Sequence, residues 1–465
     1  MNAEAFKAYD IRGKIPNNLN EEFAFNLGRS IFHALHVQSA IIGMDSRLSS
    51  EMLGKYITRG LVSCAVKVSS LGLCGTEEIY YAAGKYNFDI GIMITGSHNP
   101  IDENGFKLVK KGAIPISSDS GLNTIKDIMI KTYASDFDNI KIHDVWAAGN
   151  LDSITTSFRD EHVNWLLSYT GFDKIKPKKN LKIVADVGNG AAGPILIKLS
   201  KKLPFDLTII NGEADGRFPN GIPNPLLPEN REKTSKIVKI EKADLGIAWD
   251  GDFDRCFFYD HKGNFIEGYY LVGLLAHEML KKFKNAKIIH DPRVYWNTQD
   301  LVYKANGIPI MGKTGHAFIK ERMRLEDAVY GGEMSSHHYF KDFYYCDSGM
   351  LPWLFVIKIL LENDISLSEF VYDRVKKYPC SGEINRKVKN APQLIKSIQK
   401  YYAKKATYED HLDGLNLEFK EWRFNIRMSN TEPLLRLNVE SRQNKQLMQD
   451  KTKELLDFID KNCEK

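Results

Sequence analysis

Asp250, Asp252 and Asp254 fall at alternate positions in DGDFDR, directly after the apolar run Leu245-Gly246-Ile247-Ala248-Trp249. Alternate side chains in extended or looping backbone can face one way. Three converging carboxylates repel one another unless a cation lies between them. With oxygen donors only, and no sulfur or imidazole, the cation expected is Mg²⁺. An EF-hand also begins with spaced acids, but here its sixth position is Arg255 rather than Gly and its twelfth is His261 rather than Glu. A Mg²⁺ site of this kind leaves coordination positions for phosphate oxygens.

TGSHNP, residues 95–100, follows another apolar run, Ile90-Gly91-Ile92-Met93-Ile94. Gly, Ser, Asn and Pro are ordinary turn residues, so the segment alone reads as a turn carrying one hydroxyl, that of Ser97. It is not a hydrolase nucleophile elbow, because residues 95–99 read T-G-S-H-N rather than G-x-S-x-G. A serine that carries a phosphoryl group needs a cation, a nearby base and basic anchors. The Asp trio, His98 or Lys107, and Arg255 beside the metal supply these.

Two further loops carry polar groups. GEMSSHH (332–338) presents Glu333, Ser335 and His337 at alternate positions, a carboxylate and hydroxyl suited to gripping sugar hydroxyls, and KTGHAFIK (313–320) adds Lys313 and His316. RMSNTEP (427–433) offers Arg427, Ser429, Asn430 and Thr431, with Pro433 to stiffen the turn. An arginine with hydroxyls and turn amides makes a cradle for a phosphate dianion, and Arg427 lies in an otherwise apolar strand.

The elements that must position these loops repeat. AIIGMDSR (40–47), LKIVADVGNG (181–190) and AKIIHDPR (286–293) are Val/Ile-rich strands ending on Asp. Each is followed by a second strand that stops at a chemistry-bearing loop: FDIGIMITGSHNP, ADLGIAWDGDFDR and EDAVYGGEMSSHH. The first ~370 residues therefore read as three copies of one α/β module, whose strand ends could turn three loops toward a shared cleft. After Tyr378-Pro379 the texture changes: WRFNIRMSNTEPLLRLNVESR reads as two strands around a turn, followed by a helix from about Asn444 to Lys461. The expected organisation is α/β in class with four domains: 1–150 with the serine loop, 151–256 with the metal loop, 257–370 with the sugar loop, and an α+β domain 371–465 with the phosphate loop.

The totals agree with this reading. A 465-residue chain exceeds one core, and 43% apolar with 26% charged residues is ordinary for a globular protein. A net charge of +5, without a dense basic block, argues against nucleic acid. Six cysteines without a C-x-x-C pair support neither zinc nor a disulfide framework. The N-terminal stretch has no apolar h-region, and LPWLFVIKILLE is short for a membrane span. A soluble cytoplasmic protein with no membrane or nucleic-acid partner is expected.

TGSHNP, DGDFDR, GEMSSHH and RMSNTEP stand in the order of the four signature loops of the α-D-phosphohexomutases, and the chain resembles that family from KAYDIRGK to RLNVESR. HDPRVYWNT and YYCDSGM look most like its bacterial phosphomannomutase branch. The resemblance implies four domains around a central cleft. It makes Ser97 the phosphorylated serine and a further metal ligand beside Asp250, Asp252 and Asp254. Glu333 and Ser335, with His337, match the loop reading the sugar 3- and 4-hydroxyls, and Arg427, Ser429, Asn430 and Thr431 match the loop holding the non-transferring phosphate. Tyr9, Arg12, Lys107 and His316 fall where the family places other active-site groups.

The reaction implied by the resemblance is reversible transfer of phosphate between O6 and O1 of a hexose through a 1,6-bisphosphosugar, which also serves as activator. Mannose phosphates are the expected substrates, supplying GDP-mannose synthesis, by a monomer or weak homodimer. A bifunctional phosphomannomutase/phosphoglucomutase, a Mg²⁺-dependent sugar phosphatase and a non-catalytic phosphosugar-binding protein are the alternatives. Closure of a mobile fourth domain would exclude water. Lys107 and His98 are both candidate proton shuttles. The sequence departs from the family at Gly96, where many members have Ala and only slight loosening is expected. It departs again at Phe253, where many have Gly, and at Arg293, where some have Lys. Arg does not easily lose its proton, so no acid/base role is expected at 293.

Overall fold

A computed structural model describes residues 3–132, 152–153, 155–175, 180–428 and 434–462. The chain divides into two compact units, Met1–Phe265 with Asp342–Asp364, and Ile266–Lys341 with Ile365–Lys465. The expected boundary at 150/151 lies outside the described residues.

The first unit opens with β1 (Ile11–Lys14), α1 (Glu21–Leu35), β2 (Ser39–Met44), α2 (Leu48–Val62), β3 (Lys67–Leu73), α3 (Thr76–Lys85), β4 (Ile90–Ile94) and β5 (Glu103–Lys110). These strands lie in the order β1-β5-β4-β2-β3, with β2 parallel to both β3 and β4 and β5 antiparallel to β4. Helix α1 starts where Asn20 accepts the Phe23 N–H and Glu21 and Glu22 occupy the first turn, as orphan amides and the helix dipole favour. Its apolar face, including Phe23, Leu27 and Ile31, enters a core shared with Ile42, Ile57, Ile92 and Phe106.

The same plan recurs. Helix α4 (Thr155–Thr170) leads to β6 (Lys182–Asp186), α5 (Gly193–Ser200), β7 (Asp206–Ile210), α6 (Glu232–Ile240), β8 (Leu245–Trp249) and β9 (Cys256–Asp260). The strand order is β9-β8-β6-β7, again with a parallel pair, β6 and β8, at the centre. The helix Met350–Asn363 joins this unit: the Trp353 ring meets Trp249 edge to face, centroids 6.1 Å apart. Such a pair adds about 0.5–1.5 kcal/mol beyond the area it buries. The Trp249 indole N–H also donates to the Gly349 carbonyl at 2.9 Å, just ahead of the acid-bearing loop.

In the second unit α7 (Gly268–Lys282) precedes β10 (Lys287–His290), α8 (Tyr295–Lys304), β11 (Ile308–Met311), α9 (His316–Glu326), β12 (Tyr330–Gly332) and β13 (His338–Phe340). Here β10 lies parallel to β11 and β12, and β13 runs antiparallel to β12. A different module comes next: β14 (Ile384–Lys387), α10 (Ala391–Tyr402), β15 (Tyr408–Asp410), β16 (Leu415–Glu418), β17 (Trp422–Met428), β18 (Leu434–Ser441) and α11 (Lys445–Asn462). Its sheet is wholly antiparallel in the order β14-β18-β17-β16-β15. Both helices lay apolar faces on it through Leu394, Ile398, Leu455 and Ile459. The two strands and closing helix read from the sequence are β17, β18 and α11. Among the described residues no helix is long and apolar enough to cross a membrane.

Candidate active site

Each chemistry-bearing loop of the α/β modules leaves the carboxyl end of a parallel strand: 95–100 after β4, 250–255 after β8 and 333–338 after β12. Strand ends in open α/β sheets are where loops converge on ligands.

In the first unit the serine and metal loops meet. Ser97 is buried and sits at φ 49°, a left-handed conformation that turns its hydroxyl out of the strand line at a conformational cost. Its Oγ donates to Asp250 Oδ2 at 3.0 Å and lies 2.9 Å from His98 Nδ1. The carboxylates of Asp250, Asp252 and Asp254 are all buried, with one oxygen from each within 4.8 Å of the others. Lys107, from β5, donates to Asp252 Oδ2 at 2.7 Å and Asp254 Oδ2 at 2.5 Å. Arg255 Nε stands 3.5 Å from Asp250 Oδ2 and 3.8 Å from Asp254 Oδ1.

The three acids converge across a turn, the looping form of the two backbone forms expected. Phe253 takes φ 42°, and its ring lies where a Cβ on Gly75 would stand, 2.1 Å from the nearest ring atom. Glycine at the start of α3 thus makes room for the bulky residue in the metal loop. Beside it, Thr76 Oγ1 donates to Asp252 Oδ2 at 2.6 Å.

Burial first, and then the neighbouring carboxylates of Asp254 and Asp252, push the Asp250 carboxyl up to about 8. Burial together with Arg255 and Arg12 drives His98 well below the usual imidazole value. Burial opposes the charge on Lys107, yet Asp252 and Asp254 outweigh it and hold the ammonium above its ordinary value. Asp252 Oδ1 is buried without a hydrogen-bond partner. An orphaned carboxylate oxygen among three clustered acids matches the oxygen-donor chemistry of a hard divalent cation, so the residues present fit such an ion.

Two residues at the end of β2, which in the sequence stand out only as part of a repeated strand ending, shape the serine loop. Asp45 Oδ2 accepts from Thr95 Oγ1 at 2.8 Å and from the Gly96 N–H at 3.1 Å. The Arg47 guanidinium donates to four loop carbonyls, those of Ser97, Asn99, Pro100 and Glu103, at 2.6–3.1 Å. Arg12 adds a contact from Nη1 to the Gly96 carbonyl at 3.1 Å while its Nε holds Asp10 at 2.6 Å. Tyr9 is half-buried in the turn leading to β1.

A Cβ on Gly96 would lie 2.3 Å from Arg47 Nε and 2.8 Å from the Glu103 carbonyl. Glycine here is therefore tied to the seating of Arg47, a larger consequence than the slight loosening expected. Gly96→Ala is expected to cost about 1–3 kcal/mol of stability as the buried guanidinium is displaced, with activity reduced. Thermal unfolding and turnover check this, and an unchanged Tm would refute it.

In the second unit the sugar loop is built around Glu333. Its Oε1 accepts the Gly315 N–H at 2.8 Å, and its Oε2 accepts the Tyr339 hydroxyl at 2.5 Å with His337 Nδ1 3.2 Å away. Burial opposes ionisation of Glu333, but His337 and Arg293 hold the carboxyl well below its usual range. Ser335 Oγ lies 3.0 Å from His337 Nδ1. His316 is half-buried at the first turn of α9, next to Gly315, whereas Lys313 is exposed with its ammonium over the Phe318 ring. Arg427, on β17, is buried beside Glu383 and Asp413. Ser429, Asn430 and Thr431 lie outside the described residues. Asp413, which also accepts the Thr314 N–H at 3.2 Å, carried no distinguishing sequence signal.

Matches to known proteins fall on this same framework. The chain matches the phosphoglucomutase/phosphomannomutase α/β/α domains I, II and III over residues 3–135, 160–263 and 267–378, and the C-terminal domain of that family over 383–456. The chain belongs to the phosphoglucomutase/phosphomannomutase family. It is 50% identical to a phosphomannomutase of Vibrio cholerae over 98% of both chains. It is 48% identical to a Xanthomonas campestris protein named for phosphohexose mutases, over 99% of this chain and all of that one. A crystal structure of a family protein from Burkholderia thailandensis superposes with a TM-score of 0.83 at 28% identity, covering 99% of this chain and 97% of that one. The phosphohexomutase architecture of three similar α/β domains and a C-terminal α+β domain is thus the architecture of this chain.

Proposed function

We propose that this phosphohexomutase is a phosphomannomutase, an isomerase interconverting mannose 6-phosphate and mannose 1-phosphate through a phosphoserine enzyme and a 1,6-bisphosphosugar. The observation that carries the substrate assignment is the 50% identity with the Vibrio cholerae phosphomannomutase along 98% of both chains. The reaction type is supported by a buried serine hydroxyl set against three clustered carboxylates and two cations.

In this reading the four domains run over residues 1–150, 151–256, 257–370 and 371–465, although the 256/257 boundary falls inside β9 (Cys256–Asp260), which pairs with β8 of the second domain. Ser97 Oγ carries the phosphoryl group. When the free hydroxyl of the hexose phosphate bonds to phosphorus, the P–O bond to Ser97 Oγ breaks, the hydroxyl proton leaves to a base, and Oγ takes up a proton to become the serine hydroxyl again. The bisphosphosugar then turns over, and its other phosphate returns to Ser97 by the reverse exchange. Such transfers ask a protein chiefly for positioning and charge neutralisation. Arg255 and Lys107 supply fixed positive charge, and Arg47 and Arg12 hold the loop that aims Oγ. His98 and Lys107 are the two candidate proton shuttles: His98 Nδ1 lies 2.9 Å from Ser97 Oγ, within reach of the proton that Oγ gains or loses, and the Lys107 ammonium is engaged by two carboxylates.

Asp250, Asp252 and Asp254, with the Ser97 phosphate, would hold Mg²⁺, which when bound supplies Lewis-acid neutralisation at the phosphoryl oxygens. Glu333 and Ser335, with His337 beside them, bind the sugar hydroxyls, and Lys313 and His316 belong to the same substrate-binding region. Arg427, joined by Ser429, Asn430 and Thr431, binds the phosphate that is not being transferred. The enzyme is cytoplasmic, a monomer or weak homodimer, and its product serves GDP-mannose synthesis.

Assays with mannose 6-phosphate and glucose 6-phosphate in parallel, with Mg²⁺ and trace hexose 1,6-bisphosphate, test the reading. A much higher kcat/KM with mannose is expected. Comparable rates would make the enzyme bifunctional, as the name of the Xanthomonas relative allows. Free phosphate as the sole product would overturn the mutase assignment.

A further inference from the structure

The internal repetition extends to the turns. Asp45-Ser46-Arg47 follows β2, and Asp291-Pro292-Arg293 follows β10. In both, the arginine N–H closes on the aspartate Oδ1, at 3.0 and 2.7 Å. In both, Oδ2 of that aspartate accepts an N–H from the second residue past the neighbouring strand: Gly96 at 3.1 Å and Met334 at 2.9 Å. One Asp-x-Arg turn thus holds the serine loop and another the sugar loop. The corresponding turn after β6 reads Asp186-Val187-Gly188 and lacks the arginine.

The two guanidiniums differ in what they hold. Arg47 grips its loop's carbonyls, whereas Arg293 places Nη2 at 2.5 Å from Asp291 and Nη1 at 2.5 Å from Glu383 Oε2. Glu383 stands just past Gly382, which takes φ +71°. The same carboxylate receives Arg436 Nη1 at 3.4 Å, and Arg427 Nη2 lies 4.0 Å away. Arg427 Nε is buried without a hydrogen bond, and its other carboxylate, Asp413, is 3.9 Å off. Although burial opposes it, the three arginines hold the Glu383 carboxyl down to about 2.

We propose that Glu383 is a positioning residue: its one carboxylate gathers Arg293, Arg427 and Arg436, and so couples the loop that reads sugar hydroxyls to the strand that holds phosphate. The proposal rests on the reading of Arg427 as the phosphate-holding residue. Like charges brought around one point part when the opposite charge between them is removed. Without Glu383 the phosphate would meet the same three arginines with one more unit of net positive charge, but no longer aimed. By the same geometry Arg293 is a strut between loops rather than a proton donor, consistent with a guanidinium that stays charged.

Titration calorimetry of the full chain with mannose 1-phosphate and with inorganic phosphate tests this in the wild type, Glu383→Gln and Glu383→Asp. Glu383→Gln is expected to weaken both ligands at least tenfold, about 1.4 kcal/mol, and to raise KM more than it lowers kcat. Glu383→Asp keeps the charge and should bind within threefold of wild type. A packing role predicts the opposite ranking, because Gln preserves shape. Equal or tighter binding by Glu383→Gln, the result expected if Glu383 only competed with phosphate for the arginines, overturns the proposal. If Glu383→Gln does not fold, a tenfold loss in Glu383→Asp overturns it equally. A wild type that binds phosphate but not mannose 1-phosphate sinks the phosphomannomutase reading and leaves Glu383 to be judged on phosphate. Binding of neither ligand sinks both.

Discussion

Ser97→Ala is expected to remove mutase activity, by a factor on the order of 10⁴ or more. Oγ is the atom to which the phosphoryl group bonds in the proposed cycle, and no other hydroxyl in the loop can replace it. Thr95 Oγ1 is already committed, donating to Asp45 and accepting the Ser97 N–H at 2.7 Å. The substitution takes away one buried oxygen that touches His98 and Asp250, so the fold should survive with little change in Tm. Two measurements decide the matter. Steady-state turnover should vanish, and intact-mass analysis after exposure to a hexose 1,6-bisphosphate should show a phosphoryl adduct on the wild type alone. Activity within about 10²-fold of wild type would mean that Ser97 does not carry the phosphate.

The second large effect is expected at Asp252. Its Oδ2 takes the Thr76 hydroxyl and the Lys107 ammonium, while its buried Oδ1 has no hydrogen-bond partner. Asp252→Asn keeps the volume, removes one of three converging charges and puts an amide where a cation's oxygen ligand is needed. Metal affinity should fall about 10²-fold or more, and kcat/KM by about 10²–10⁴. Manganese binding followed by electron paramagnetic resonance reads the first effect without recourse to turnover. In the wild type, chelation should abolish activity and added Mg²⁺ restore it. A metal titration unaltered by Asp252→Asn would remove the Asp trio from consideration as the metal site.

The three-carboxylate loop, the lone serine and the arginine in an apolar strand were legible because burying such groups makes sense only with a ligand to compensate them. The family was legible too, since its four loops occur in order. Less visible were the residues that act through their geometry. Arg47 and Arg293 both end a strand with the same Asp-x-Arg turn, a pattern present in AIIGMDSR and AKIIHDPR but absorbed there into the strand repeat. Thr76 and Glu383 gave no sign, because a threonine opening a helix or a glutamate after a glycine is unremarkable until its partner is known.

By itself, then, the sequence determined the alternation of strands and helices, the last two strands and closing helix of the final module, and the chemistry each loop can offer. These depend on local periodicity and residue type, which the chain carries at every position. Only the tertiary structure decided which side chain meets which: that Lys107 lies between Asp252 and Asp254, that Gly75 makes room for Phe253, that Gly96 seats Arg47, and that three arginines share Glu383. Those outcomes depend on contacts between residues tens to hundreds of positions apart. Hydrogen-bond direction and the balance of burial against charge exist only once the packed backbone has set the distances.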